Sequence, residues 1–282
     1  MTKTRKTKFH ECGFLSDDVE DVKINITTQY EEEFEILSKL NIILMEMFGE
    51  LNANNSRKER LAKLLTIRFC QSLQACSILL RHGLNSEFFL IIRNLQECYL
   101  ALACLLKDES YFCEISSYDE TRFKKTGMSS IEKNVYNNKK PDYLNKKFNT
   151  QRKYLADEQK KLQDKDKPTA GIFFKKTEQE EESQLAYLYY TFLSNTKCHI
   201  SVNSLGDYYN IKGDEKSITF RMINSDEICS GVEEIVRVCG FFALKLDVSF
   251  LNRKHESHIN EISKNFFEYY IQIGKLVHKN KI

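Results

Sequence analysis

Proline and glycine are scarce in this chain, with 2 Pro and 10 Gly among 282 residues. Average usage would supply roughly 14 and 20. A chain with so few breakers has little need of turns, which points to long helices. Tryptophan is absent. A dominant charge is absent too: 42 Lys and Arg against 40 Asp and Glu leave a net charge of +2, which argues against a protein built around one basic face. The nine cysteines are odd in number and contain no CxxC pair, which excludes a zinc ribbon and a thioredoxin-like site. Most of them stand in apolar helical stretches, where Cys behaves as a small hydrophobe. The N-terminus stays polar for over thirty residues, so no signal peptide is expected and the cytoplasm is the expected location.

Motifs that would name a reaction are also missing. There is no P-loop, no dinucleotide glycine fingerprint, no HExxH, no calcium loop and no Gly-x-Ser-x-Gly elbow. No cofactor and no metal site are therefore expected. The most apolar window, Phe88 to Leu106, holds Arg93, Asn94, Gln96 and Glu97 near its middle. Charged groups cost about 2.5–3.5 kcal/mol each at a membrane centre, so this window reads as a buried core helix rather than a span.

What is present is helical periodicity. The fold expected is all-α, a single bundle of about six or seven helices. The first helix is placed at 17–52, after Ser16-Asp17-Asp18, with apolar positions Phe34, Leu37, Leu40, Ile43, Leu44 and Met47. The second is placed at 57–82 and ends at Gly83, the usual left-handed cap. The third runs from Asn85-Ser86-Glu87 to about Leu106. It is hydrophobic nearly all round and should be the central helix. A weaker fourth spans 109–126. Residues 178–193, 225–250 and 254–278 supply the rest. The loose alternation over 207–223, with a turn at Gly213-Asp214, suggests a small β-hairpin. Residues 1–16 form a flexible basic arm. Residues 127–176 are rich in Lys and Asn, hold both prolines, and read as an excursion over the surface. No internal repeat is visible, so 1–282 is treated as one domain.

Arg93 and Glu97 lie four apart in the expected central helix, on one face and within reach of each other. Two charges in an apolar helix are expensive unless paired. They line either a polar seam joining helices or a pocket. His199 closes a second pattern, Tyr190-x3-Ser194-x4-His199, just past an aromatic-rich helix. Its near-neutral titration suits acid–base work, and the bland reading is a packed or capping side chain. Arg253 and His258 give a formal R-x4-H spacing. His255, His258 and Glu261 share a helix face that would suit a metal only weakly, and a solvated helix start is the simpler reading.

The strings Leu80-Arg-His-Gly-Leu-Asn-Ser-Glu87 and Ile92-Arg-Asn-Leu-Gln-Glu97, followed by the Tyr190, Ser194 and His199 pattern, resemble a family of bacterial helical proteins of unknown function with an Arg-x-x-x-Glu signature. The resemblance covers roughly residues 60–205. More loosely, the arrangement is similar to the HEPN superfamily of helical, often dimeric domains, many of them metal-independent ribonucleases of toxin or antiphage systems. That family uses an Arg and a His from one R-x4–6-H motif. Arg93 has no His at that spacing, and only Arg253 and His258 match it formally. The resemblance implies an RNA-directed protein in bacterial defence, with Arg93, Glu97 and His199 catalytic and Tyr190 and Ser194 contacting substrate. Arg253 and His258 are the alternative catalytic pair. Partners implied are RNA, a partner protein or a second copy, and no membrane. The competing expectations are a non-catalytic helical interaction module, with Arg93–Glu97 as a structural latch, and a small-molecule sensor with the polar seam as its pocket.

Overall fold

The computed structural model describes residues 8–117, 170–198, 209–212, 215–218 and 225–279, with a few positions between 127 and 157. Among them the chain is all-α. The helices are α1 (Phe9–Cys12), α2 (Val19–Gln29), α3 (Glu31–Glu50), α4 (Arg57–Arg81), α5 (Asn85–Lys107), α6 (109–117), α7 (Ala170–Thr177), α8 (Glu181–Leu193), α9 (Ser225–Phe250) and α10 (Glu256–Lys279). Two four-residue strands, β1 (Tyr209–Lys212) and β2 (Glu215–Ile218), pair antiparallel, with Tyr209 opposite Ile218.

Helix α5 is the axis. Helices α4, α7, α8 and α9 pack on it, while α3 packs on α4, α9 and α10. Phe88, Ile92, Leu95, Tyr99, Leu102 and Leu105 of α5 are sealed from solvent. Among the described residues this is the one helix long and apolar enough to cross a membrane (Ser86–Lys107), yet 67% of its most apolar 18-residue window is buried inside the protein. Neighbouring helices supply its apolar surroundings.

Local chemistry explains several of the breaks. Ser56 caps α4 by accepting from the Glu59 amide at 3.0 Å, while the Glu59 carboxylate takes the Asn52 amide at 2.7 Å, a variant of the capping box. At the other end of α4, the Gly83 amide donates to Leu80 and the Leu84 amide to Leu79. Gly83 has φ +78°, so this is a Schellman turn that needs glycine. α9 approaches α5 at Gly231, where an added Cβ would lie 2.3 Å from the Phe88 ring.

Three expected boundaries differ. The single helix expected over 17–52 is two, broken at Tyr30, whose φ of −120° and ψ of 39° leave the helical region. Tyr30 is buried, and the preceding Thr27-Thr28 pair is a poor helix interior. The helix expected over 178–193 starts at Glu181. The excursion expected over 127–176 does not stay on the surface at its C-terminal end, because α7 buries Ala170 and Ile172 against the core. The apolar run Ala170-Gly-Ile-Phe-Phe174 supplies that burial. Most of that stretch before Ala170, both prolines, the start of the basic arm and the Gly213-Asp214 turn lie outside the described residues.

Candidate functional site: an arginine held between α5 and α8

Tyr187 and Tyr190 stand nearly a turn apart on α8. Their rings stack, and Phe174 of α7 extends the column, with Phe174–Tyr187 centroids 4.3 Å apart and Tyr187–Tyr190 centroids 6.1 Å apart. The Arg93 guanidinium of α5 caps this column, 4.6 Å from the Tyr190 centroid. Its Nε donates to Ser194 Oγ and its Nη2 to Tyr190 Oη, both at 2.7 Å. The Ser194 hydroxyl in turn donates to the Tyr190 carbonyl at 2.8 Å. Sequence reading thus placed Arg93, Tyr190 and Ser194 in two separate patterns, and the fold brings all three into contact.

α8 does not end cleanly here. Residues Ser194–Cys198 wind as a π-helix. Thr191, Ser194 and Thr196 each turn their hydroxyl back onto the carbonyl four residues earlier. Such back-bonds compete with the helix's own ladder and loosen it, and π segments are frequent at functional sites. Cys198 is half-buried beside Arg93. Burial pushes its thiol up and the Arg93 charge pulls it back down.

Glu97 does not pair with Arg93. It is half-buried one turn further along α5, and no hydrogen bond or ion pair joins it to another described residue. The latch expected between Arg93 and Glu97 is therefore replaced by Arg93 to Tyr190 and Ser194. Two neutral hydroxyls, Tyr190 of α8 and Ser194 of the π segment after it, accept from the guanidinium where Glu97 was expected to. His199 follows Cys198 directly and lies outside the described residues. Arg253 and His258 do not converge. Arg253 sits in a left-handed turn (φ +61°) and forms a two-pronged pair with Glu256 at 3.0 and 3.1 Å. His258 is exposed on the wall of a groove of about 330 Å³ between α3 and α10, beside Lys39, Glu46 and Glu261. His255 is occupied elsewhere: its amide donates to the buried Asp247 carboxylate at 2.9 Å and its Nε2 stands 3.3 Å from Glu50. Among the described residues, no three His, Cys, Asp or Glu side chains gather as a metal site would require.

A second polar cluster escaped sequence reading. Gln96 Nε2, buried on α5, donates to the buried Glu234 of α9. Glu234 also takes Arg237 Nη1 at 2.8 Å, and Arg237 Nη2 reaches Glu233 at 2.6 Å. Arg237 lies over the Tyr189 ring, 5.0 Å from its centroid. The adjacent tyrosines of α8 therefore each carry an arginine, Tyr190 one from α5 and Tyr189 one from α9. Glu233, Glu234 and Arg237 are spaced as a helical charge cluster, but nothing in that spacing announces that one of the acids faces the core.

The fold and this site define a helical bundle protein with a cation clamped between its central helix and an aromatic neighbour. The chain belongs to the family of unknown function DUF5677, whose model matches residues 59–217. That match takes in α4, α5 and α8, and hence both sides of the Arg93 cluster. No curated protein matches the chain, and no solved structure does.

Proposed function

We propose that the Arg93 cluster is the phosphate-binding site of an RNA-directed, HEPN-like protein acting as a metal-independent endoribonuclease in bacterial defence. The observation that carries this reading is the charge balance around Arg93. It is half-buried, its partners are neutral hydroxyls, and no carboxylate among the described residues neutralises it. A fixed guanidinium with uncompensated charge and spare donors suits a phosphate, because its planar fork matches the phosphate oxygens. In the proposed reaction His199 takes the proton of a ribose 2′-hydroxyl, the freed oxygen attacks the adjacent phosphorus to close a 2′,3′-cyclic phosphate, and the P–O5′ bond breaks as the 5′-oxygen takes a proton from water. Arg93 stabilises the charge that gathers on the phosphoryl oxygens. Glu97, without a partner among the described residues, is free to accept a hydrogen bond from the substrate.

A second reading has its own support. Arg93 bonds Tyr190 of α8 and Ser194 of the π segment that follows it, so the arginine also works as a clasp between α5 and the end of α8 in a non-catalytic interaction module. Induced expression separates the two. Wild type should degrade total cellular RNA, while His199→Ala should not and should melt within a few degrees of wild type. If no variant degrades RNA and Arg93→Ala chiefly loses stability, the clasp is the whole of Arg93's role.

A further inference from the structure

Among the described residues, Glu234 and Glu233 share a single cation. Arg237 bonds both, and the cluster's other polar members are neutral: Gln96 on α5 and Tyr189 on α8. With both acids ionised the cluster would hold a net negative charge. Glu233 is partly open to water, with its side chain 34% exposed, whereas that of Glu234 is 7% exposed. Water can solvate the first charge but not the second, so the buried acid is the one to be neutral.

The Gln96 amide can meet a Glu234 carboxyl in either form, through Nε2 as it stands or through Oε1 when turned. Its Oε1 is fully buried and has no hydrogen-bond partner. The oxygen and nitrogen of a side-chain amide can exchange places by a half-turn. Turning the Gln96 amide brings Oε1 onto Glu234, and that contact needs a proton on the carboxyl. We infer that Glu234 keeps its proton in the folded protein at neutral pH and donates it to Gln96 Oε1, forming a neutral carboxyl–amide clasp between α9 and α5, one turn from Arg93. Burial, working against Arg237, pushes the Glu234 carboxyl up to about 8, in keeping with that assignment. Raising the pH removes the proton, leaves two acids on Arg237 and an acceptor facing an acceptor, and loosens α5 against α9. The clasp thereby makes the setting of Arg93 sensitive to pH, whatever Arg93 binds.

Infrared difference spectroscopy on the full chain, with carbon-13-labelled glutamate, tests this directly. A protonated carboxylic-acid carbonyl band should be present at pH 7, disappear on going to pH 10, and be missing in Glu234→Gln. That variant keeps a donor for Gln96 and should melt within a few degrees of wild type at pH 7. In Glu233→Gln, Arg237 serves Glu234 alone, so the band should vanish at a lower pH than in wild type. Absence of the band from wild type at pH 7 would overturn the inference. So would a large loss of stability in Glu234→Gln with no band in wild type, since both results describe an ionised Glu234–Arg237 pair. If Glu234→Gln does not fold, the wild-type titration and its displacement in Glu233→Gln decide alone.

Discussion

Arg93 makes its two bonds through different nitrogens, and that fixes what a replacement can keep. A lysine has one point of attachment and cannot hold Ser194 and Tyr190 in the same fork. Arg93→Lys should therefore lose RNA cleavage nearly as fully as Arg93→Ala in the induced-expression assay. Tyr190→Phe removes one bond to a charged group, which typically contributes about 1.5–3 kcal/mol. A double-mutant cycle with Arg93→Ala should show coupling of about 1 kcal/mol or more in urea unfolding. Glu97→Gln should leave stability within about 0.5 kcal/mol, since it breaks no bond among the described residues, so any loss of cleavage would belong to chemistry. The residue types of this site were legible, because charge in an apolar helix must be satisfied. The partner was not. Helical spacing offers Glu97 to Arg93, and only the tertiary approach of α8 offers Tyr190 and Ser194.

At the scale of the element, α5 was readable because it is apolar on every side, and a helix of that kind has to be covered on every side. The breaks at Tyr30 and Glu178–Glu180 were not readable. At Tyr30 the apolar spacing runs on through the break, and at Glu178–Glu180 the acidic residues read as the first turn of the helix that in fact starts at Glu181. The π segment after Leu193 had a signal in hindsight, three hydroxyl residues at 191, 194 and 196. The crossing of α9 over α5 depends on Gly231. Gly231→Ala sets a methyl against the sealed Phe88 ring, and overpacking of this sort typically costs about 1–3 kcal/mol. Thermal melting should register it even though alanine is the better helix former. The stacked Phe69 and Phe242 rings, 3.9 Å apart, tie α4 to α9 and are both fully buried. Phe242→Ala should cost about 3–5 kcal/mol in urea unfolding.

Across the whole molecule, stability should depend on pH in two directions. Glu234 is raised on folding, so the native state binds the extra proton. Its contribution is present in acid and is lost as pH rises towards about 8. Asp108 is lowered, first by its hydrogen bond to Lys176, which ties the start of α6 to α7. Its small, solvent-screened contribution is present above the ordinary carboxylate range and is lost as pH falls through it. Melting temperature against pH should therefore peak in mild acid, between these two ranges, and Glu234→Gln should flatten only the fall from that peak towards about pH 8. The bundle could be read from the scarcity of breakers, yet the placement of the buried Glu234 depends on how α9 rotates against α5, which no local pattern records. The same holds for Arg93, whose function rests on one claim, that its charge awaits a phosphate. Binding of a fluorescent single-stranded RNA, blocked against cleavage by 2′-O-methyl groups, measures it by anisotropy at two or more salt concentrations. Arg93→Ala should bind about tenfold more weakly or worse, with a salt dependence shallower by about one, while a cooperative melting curve shows that the variant is folded. Equal affinity and an unchanged salt slope in a folded Arg93→Ala would contradict the account and leave Arg93 as a clasp alone.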